Sequence, residues 1–324
     1  MDYCLAVDIG GTKIAIALIS PDGKLAGEIH SFAIPFDSQG IADPLQMIEL
    51  IRPFTTRELP SGCDLRGIGL SVCGNIDRYT EEAVLVANLH WRNLHFSRMV
   101  KQALNLPVRI TKDTRAAVLA EHTWGIAKGI SDFAWCTVGT GYGGYLYLND
   151  RLYDGYHGFA GEIGHTTYDD IHGYPCGCGR RGCFETFVTG PAIARAGQSA
   201  IDSGRSPIMS ELAGGNPVSS YMVFQAKDAG DPAAVEIIDQ VIRLISINLG
   251  SLVNILDLHM IVMGGGIVNA SPDFVPRINS LIRDFLETEE AKRDLLVVKE
   301  TFPNAALFGS AADFFIYNSF LPAI

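Results

Sequence analysis

Basic residues are the scarce class in this chain of 324 residues: 25 lysines and arginines stand against 36 acids, for a formal charge of −11. A field of that sign repels phosphate backbones and anionic lipid, which argues against general nucleic-acid or membrane-surface binding. Long apolar runs are missing too. The least polar stretch, Leu244 to Met263, is broken by Asn248, Asn254, Asp257 and His259, so no membrane span is expected. The N-terminal segment has acids at Asp2 and Asp8 and no basic n-region, and neither end carries a lipidation signal. There is no low-complexity linker and no short repeat. A cytoplasmic location is the expectation. With 48% hydrophobic residues the chain has the material for a core, and its length suggests about two domains at a nominal ~150 residues each.

Cysteine is present in an odd number, seven, and three of these lie within eight residues. In a reducing compartment such clustering points to metal before disulfide. His165, Cys176, Cys178 and Cys183 supply one imidazole and three thiolates, the donor set of a closed tetrahedral Zn²⁺ site, with His172 as a rival fourth ligand. Gly177, Gly179 and Gly182 suit the tight bends such spacing needs. Four protein ligands leave no open position, so this zinc is expected to hold a loop, about residues 161–186. Glu162 and Glu185 flank the ligands there and are able to accept hydrogen bonds from the hydroxyls of a ligand.

The pattern of apolar runs and turns predicts an α/β chain. Residues 3–8 read as a buried strand ending at Asp8, returned by a hairpin through Gly10, Gly11, Thr12 and Lys13. Glycines let backbone N–H groups approach an anion, Thr12 adds a hydroxyl donor, and Asp8 suits Mg²⁺. Phe133 to Val138 repeats the device with Gly139, Thr140 and Gly141. A third glycine turn, Gly264 to Gly266, follows the buried strand at Ile261–Met263 and suits a base or ribose lying on bare backbone. Asp113, where a strand hands over to a helix, is either a helix cap or a general base for a substrate hydroxyl, and the two roles are compatible. Two halves that each open with a glycine hairpin imply a duplicated domain around a cleft. The boundaries expected are 1–112, completed by a C-terminal helix at about 307–324, and 113–306.

Gly161-Glu162-x-Gly164-His165 followed by Cys176-Gly-Cys178-Gly-x-x-Gly182-Cys183-x-Glu185 resembles the signature of the ROK family (repressors, open reading frames, sugar kinases), and the likeness spans essentially the whole chain. The resemblance implies the actin/hexokinase-like ATPase fold and transfer of the γ-phosphoryl group of Mg-ATP to a hexose or hexosamine, usually at O6. By position it implies Asp113 as base, Asn88, Glu162, His165 and Glu185 as sugar contacts, ATP at the three glycine turns, and a homodimer or higher homo-oligomer. The alternative is a sugar-binding regulatory member with weak or lost catalysis. A DNA-binding family repressor is disfavoured, because the first glycine motif begins at residue 8 and leaves no helix-turn-helix before it. Two departures bear on substrate. Lys112-Asp113-Thr114-Arg115 replaces the Asn-Asp-x-Asn of glucokinase-like members; lysine only donates, and an ammonium there tends to weaken the base. A basic residue before the base is shared with allose-kinase-like members, while the zinc-loop sequence echoes N-acetylmannosamine kinase-like ones. Tyr145 also stands where a third glycine is common, which predicts a narrower nucleotide site.

Overall fold

The structure, a computed structural model, describes residues 2–56, 63–77 and 79–322, and these form two compact units. The first comprises residues up to 129, 146–160 and those from 304 onward; the second comprises 130–145 and 161–303. The expectation drew its line at 112. The helical segment beyond it, 113–129, groups with the first unit, because its helix packs on the C-terminal one.

The first unit opens with β1 (Asp2–Ile9), β2 (Lys13–Ile19) and β3 (Leu25–Ala33), an antiparallel meander. Helix α1 (Pro44–Thr55) follows, with Pro44 in its first turn and Asp43 accepting from the Leu45 and Gln46 amides. After β4 (Asp64–Val72) comes a small antiparallel sheet of β5 (Asn75–Ile76), β6 (Ala83–Val86) and β7 (Trp91–Leu94). Then follow α2 (Phe96–Leu104), β8 (Val108–Lys112) and α3 (Asp113–Thr123). The main sheet runs β3-β2-β1-β4-β8, with β1, β4 and β8 parallel.

The second sheet is built from β9 (Phe133–Val138), β10 (Tyr142–Leu148) and β11 (Arg151–Tyr153). Helices α4 (Glu185–Val188), α5 (Gly190–Asp202), α6 (Pro207–Ala213), α7 (Ser220–Asp228) and α8 (Pro232–Leu256) lead to β12 (Met260–Gly264). Helices α9 (Gly266–Ala270), α10 (Phe274–Leu281) and α11 (Glu289–Asp294) precede β13 (Leu296–Lys299). Its order, β11-β10-β9-β12-β13, repeats the first sheet position for position, again with the last three strands parallel. The duplication expected from the hairpins is therefore present. No helix among the described residues is long and apolar enough to cross a membrane.

Helix α12 (Ala305–Tyr317) belongs to the first unit and shows how side-chain size sets the layers. Alternation along β1 sends the small Cys4 and Ala6 to the face that packs Leu307, Ala311, Phe314 and Phe315. The larger Leu5, Val7 and Ile9 face the other core with Met47, Ile48 and Phe96. Gly309 lets α12 lie directly on α3, since a Cβ there would sit 1.6 Å from the Ala116 carbonyl oxygen.

Strand β10 begins at Tyr142 and takes in Gly143 and Gly144; a Cβ at Gly144 would lie 2.8 Å from the Trp135 carbonyl oxygen. The sheet β5-β6-β7 was not foreseen, its strands being two to four residues long.

Candidate functional site

In the first unit the polar groups gather at the carboxyl ends of β1, β4 and β8. The pairing sets Asp8 beside Ser71 and Val72 beside Lys112, so these ends lie level. The Ser71 hydroxyl donates to the Asp8 carboxylate. Burial holds that carboxyl above its usual range, with Ser71 and Lys13 pulling the other way. The hairpin after it is closed by Gly10 N–H donating to the Lys13 carbonyl at 3.0 Å, and Ile34 N–H donates to that of Thr12 at 3.1 Å. Thr12 and Lys13 are exposed. Asn88, exposed on the short 3₁₀ turn Ala87–Leu89, closes over the hairpin: a Cβ on Gly11 would meet its side chain at 3.0 Å.

Asp113 opens α3 half-buried, with its carboxylate 2.7 Å from the Thr114 amide. It is a helix-start carboxylate and also faces the site. Beside it stands Cys73, whose thiol is pushed up to about 12 by burial, then by the charges of Asp113 and Asp8, against a hydrogen bond from Asn88. Cys73 thus lies among all three, and the sequence contained no signal for it beyond its place after a predicted strand.

Arg115 faces a different way. Its guanidinium donates to Asp313 at 2.6 Å and Thr111 at 3.0 Å and lies 3.7 Å from Asp154. Asp313 also accepts from Arg109 at 3.0 Å, and Arg109 pairs with Glu81. One of the two cations flanking Asp113 is thereby committed to a buried network. Lys112 is the half-buried residue immediately before α3.

In the second unit, β9 ends in the turn Gly139-Thr140-Gly141, where Gly139 N–H donates to the Gly141 carbonyl at 2.9 Å. The Gly190 amide, at the start of α5, donates to the Gly139 carbonyl at 2.8 Å, so a helix N-terminus abuts the turn. Gly139, Thr140 and Gly190 floor a cavity of about 470 Å³ that Ser220, Tyr221, Phe224, Gly266 and Ile267 also line. Of the third glycine turn only Gly266 reaches it. Gly265 is left-handed at φ +98° and packs on Val138, while a Cβ at Gly264 would strike the Glu300 carboxylate at 2.0 Å. Buried Glu300 accepts from the Gly265 amide and from Asn269, bracing the turn from beneath. Sequence reading missed Glu300, Gly190 and the α7 residues; the Gly-Pro start of α5 was the signal for the second. Tyr145 is buried in β10 and is not among the residues lining this cavity, so it does not narrow it.

The Cys/His loop folds as a miniature hairpin, with bridges Thr167–Cys183 and Pro175–Arg181. Gly179 and Gly182 are left-handed, and a Cβ at Gly182 would lie 1.7 Å from the Asp169 carbonyl oxygen. The donor atoms of His165, Cys176, Cys178 and Cys183 all fall within 4.8 Å of one another. His165 Nδ1 to Cys176 Sγ is 3.6 Å and Cys178 Sγ to Cys183 Sγ is 3.5 Å. Tetrahedral zinc with Zn–S near 2.3 Å requires ligand separations of about 3.5–3.8 Å, which these two pairs already have, and one imidazole with three thiolates is a donor chemistry that fits the ion. His172 stands on the exposed turn capped by Asp169 and is not in the group. Glu185 joins the cluster to the second glycine turn. Its carboxylate lies 3.0 Å from Cys176 Sγ and 3.7 Å from His165 Nδ1, and 3.6 Å from where a Cβ on Gly141 would stand. Glu162 lies 3.8 Å from the other imidazole nitrogen.

Two sheets of identical strand order, each turning through glycines after its first strand, follow the plan of the actin/hexokinase-like ATPase fold. The chain belongs to the ROK family, whose model matches residues 4–314. It is 30% identical to a glucokinase of Halalkalibacterium halodurans over 83% of this chain and 81% of that one. It is 31% identical to an N-acetylmannosamine kinase of Yersinia pestis over 81% and 82%. A ROK family glucokinase from Streptomyces griseus, solved in complex with glucose and AMPPNP, superimposes with a TM-score of 0.80 at 26% identity, covering 95% of this chain and 98% of that one.

Proposed function

We propose that this chain is an ATP-dependent sugar kinase that transfers the γ-phosphoryl group to O6 of a hexose or N-acylhexosamine. The observation that carries the reading is the gathering of Asp8, Asn88 and Asp113 at one sheet edge, in a chain whose similar relatives include proteins named as glucokinases and an N-acetylmannosamine kinase, beside xylose repressors. Phosphoryl transfer asks the protein mainly for positioning, charge neutralisation and an acceptor for the hydroxyl proton. Asp113 is that acceptor, and Asn88, Lys112, Glu162, His165 and Glu185 hold the sugar hydroxyls. The glycine-floored cavity takes the nucleoside, with the N–H groups around Gly139–Gly141 and Gly10–Lys13 toward the phosphates. Asp8, a carboxylate whose charge burial disfavours, fits a hard divalent cation, and Mg²⁺ held there supplies charge neutralisation of the phosphates. Zn²⁺ in the Cys₃His group is structural and fixes the segment carrying Glu162 and Glu185. A cytoplasmic homodimer belongs to the same reading and rests on the resemblance.

The engagement of Arg115 by Asp313 favours an active enzyme over a catalytically weak regulator, because it takes one cation away from the base. The relatives named for glucose and for N-acetylmannosamine are almost equally similar, so the sugar is decided by assay. In a coupled assay with Mg-ATP and a panel of glucose, allose and N-acetylmannosamine, at least one sugar turns over. Asp113→Asn lowers kcat by ~10²–10⁴ while the sugar still binds. Turnover within tenfold of wild type in that variant rejects Asp113 as base; no turnover on any sugar rejects the kinase.

A further inference from the structure

One cavity takes no part in the proposed chemistry. It lies in the first unit at the start of β8, holds about 590 Å³, and is lined by Tyr79, Ser97, Arg98, Lys101, Arg109 and Tyr317, among others. We propose that it is a second ligand site, for a small phosphate monoester, and that its occupant acts on catalysis through Arg109.

Charge selects the class of ligand. Arg98 and Lys101 sit three residues apart on α2 and so share a face. Both are exposed, and neither has an ion-pair partner among the described residues. Arg109 and the carboxylate on the wall, Glu81, pair with each other, which leaves Arg98 and Lys101 as the uncompensated charges. An excess of cations in a chain of net charge −11 suits a dianion better than a neutral sugar. The exposed rings of Tyr79 and Tyr317 offer apolar faces to the rest of such a molecule, a sugar ring or a base. The volume suits a metabolite.

The site is separate from the carboxyl edge. It opens at Pro107–Arg109, whereas Asp113 follows the far end of the same strand, about 13 Å away at ~3.3 Å per residue. A physical link nevertheless joins them. Arg109 shares Asp313 with Arg115, and Arg115 lies in the first turn of α3, two residues after Asp113. An anion that draws Arg109 away from Asp313 changes the hold on Arg115 and with it the setting of Asp113.

The test titrates inorganic phosphate, glucose 6-phosphate and AMP separately into the full chain by calorimetry, for wild type and for Arg98→Gln/Lys101→Gln. These surface positions lie outside the catalytic machinery, so the variant folds and keeps its basal kcat. The expected result is a binding event in wild type that weakens about tenfold or more in the variant, together with a phosphate-dependent change in kcat that the variant loses. Comparison of the sugar phosphate with AMP identifies the source of the phosphate. Equal affinity in the two proteins, or no binding, overturns the site. Binding with no change in kcat overturns the link through Arg109. Glucose 6-phosphate and AMP also have a place in the proposed catalytic site, equally in both proteins, so the second site is read from the difference between wild type and variant, and the inorganic phosphate arm tests it apart from the kinase reading.

Discussion

Replacing Asp313 by asparagine probes the network that anchors the start of α3. Asp313 is 4% exposed on α12 and accepts from Arg115 at 2.6 Å and from Arg109 at 3.0 Å. The guanidinium side chains are only 18% and 13% exposed, so water screens these pairs weakly. Asparagine keeps the volume, which removes any cavity contribution, and deletes the charge. Loss of one member of a buried ion pair costs about 3–5 kcal/mol, because the partner is left charged without compensation. Here Arg109 retains Glu81, and Arg115 retains Thr111 and the more distant Asp154, which puts the expectation near the lower figure, about 3 kcal/mol. In a unit of this size each kcal/mol shifts Tm by roughly 2–4 °C, so the variant melts roughly 6–12 °C lower. Differential scanning calorimetry reads this directly, and where the two units melt separately the shift belongs to the first. A shift below about 2 °C refutes the claim that Asp313 is the shared anchor of the two arginines.

Gly309→Ala forces a Cβ to within 1.6 Å of the Ala116 carbonyl, so α12 must lift from α3, at a cost of about 1–3 kcal/mol or more in a thermal melt. Elemental analysis of the reduced protein finds one zinc per chain; Cys183→Ser loses the zinc and lowers Tm, whereas Cys63→Ser does neither. Burial raises the thiols of Cys73 and Cys136 to about 12, so at pH 8 roughly one in 10⁴ is thiolate and the fraction grows only as pH rises toward that value. Iodoacetamide mapped by mass spectrometry therefore leaves both unlabelled at pH 8 in the native protein, and labelling of Cys73 at the rate of a free cysteine contradicts its placement.

What was legible in the sequence was whatever a short window encodes. Asp8-x-Gly-Gly-Thr and the cysteine spacing are each written within a dozen residues, and the structure has the hairpin turn after Asp8 and the three cysteines together with His165. The start of α1 is equally local, since Asp43 caps it and Pro44 stands in its first turn. Long-range partners were not legible. Arg115 looked like a threat to the base because sequence places it two residues away, while the fold turns it to a carboxylate 198 residues on. Gly264 read as bare backbone for a ligand, yet its missing side chain makes room for Glu300. A glycine in a sequence reports that a Cβ is forbidden, not what forbids it.

The repeated sheet explains why the two units carry different chemistry on one topology. In the first, the residue before the end of the opening strand is Asp8, and the residue after the fifth strand in the sheet order is Asp113. In the second, the corresponding places hold Thr137 and Glu300. Thr137 is neutral, and Glu300 is buried and turned onto the Gly265 amide and Asn269. The carboxylates are thus kept at the edge of the first sheet, while the corresponding acid of the second is folded under its glycine turn. A polyphosphate beside two carboxylates is repelled unless a cation intervenes, whereas beside backbone N–H groups and hydroxyls it is stabilised directly. The duplicated strand ends therefore sort by charge. In the proposed reaction the second unit accepts the nucleotide on neutral donors, and the first supplies one acid for the cation and one for the substrate proton. Reversing that sorting by Thr137→Asp, which sets a carboxylate at the base of the Gly139 turn, is expected to raise KM for ATP about tenfold or more while leaving sugar affinity unchanged. A variant that instead loses sugar affinity and keeps its KM for ATP contradicts this division of labour.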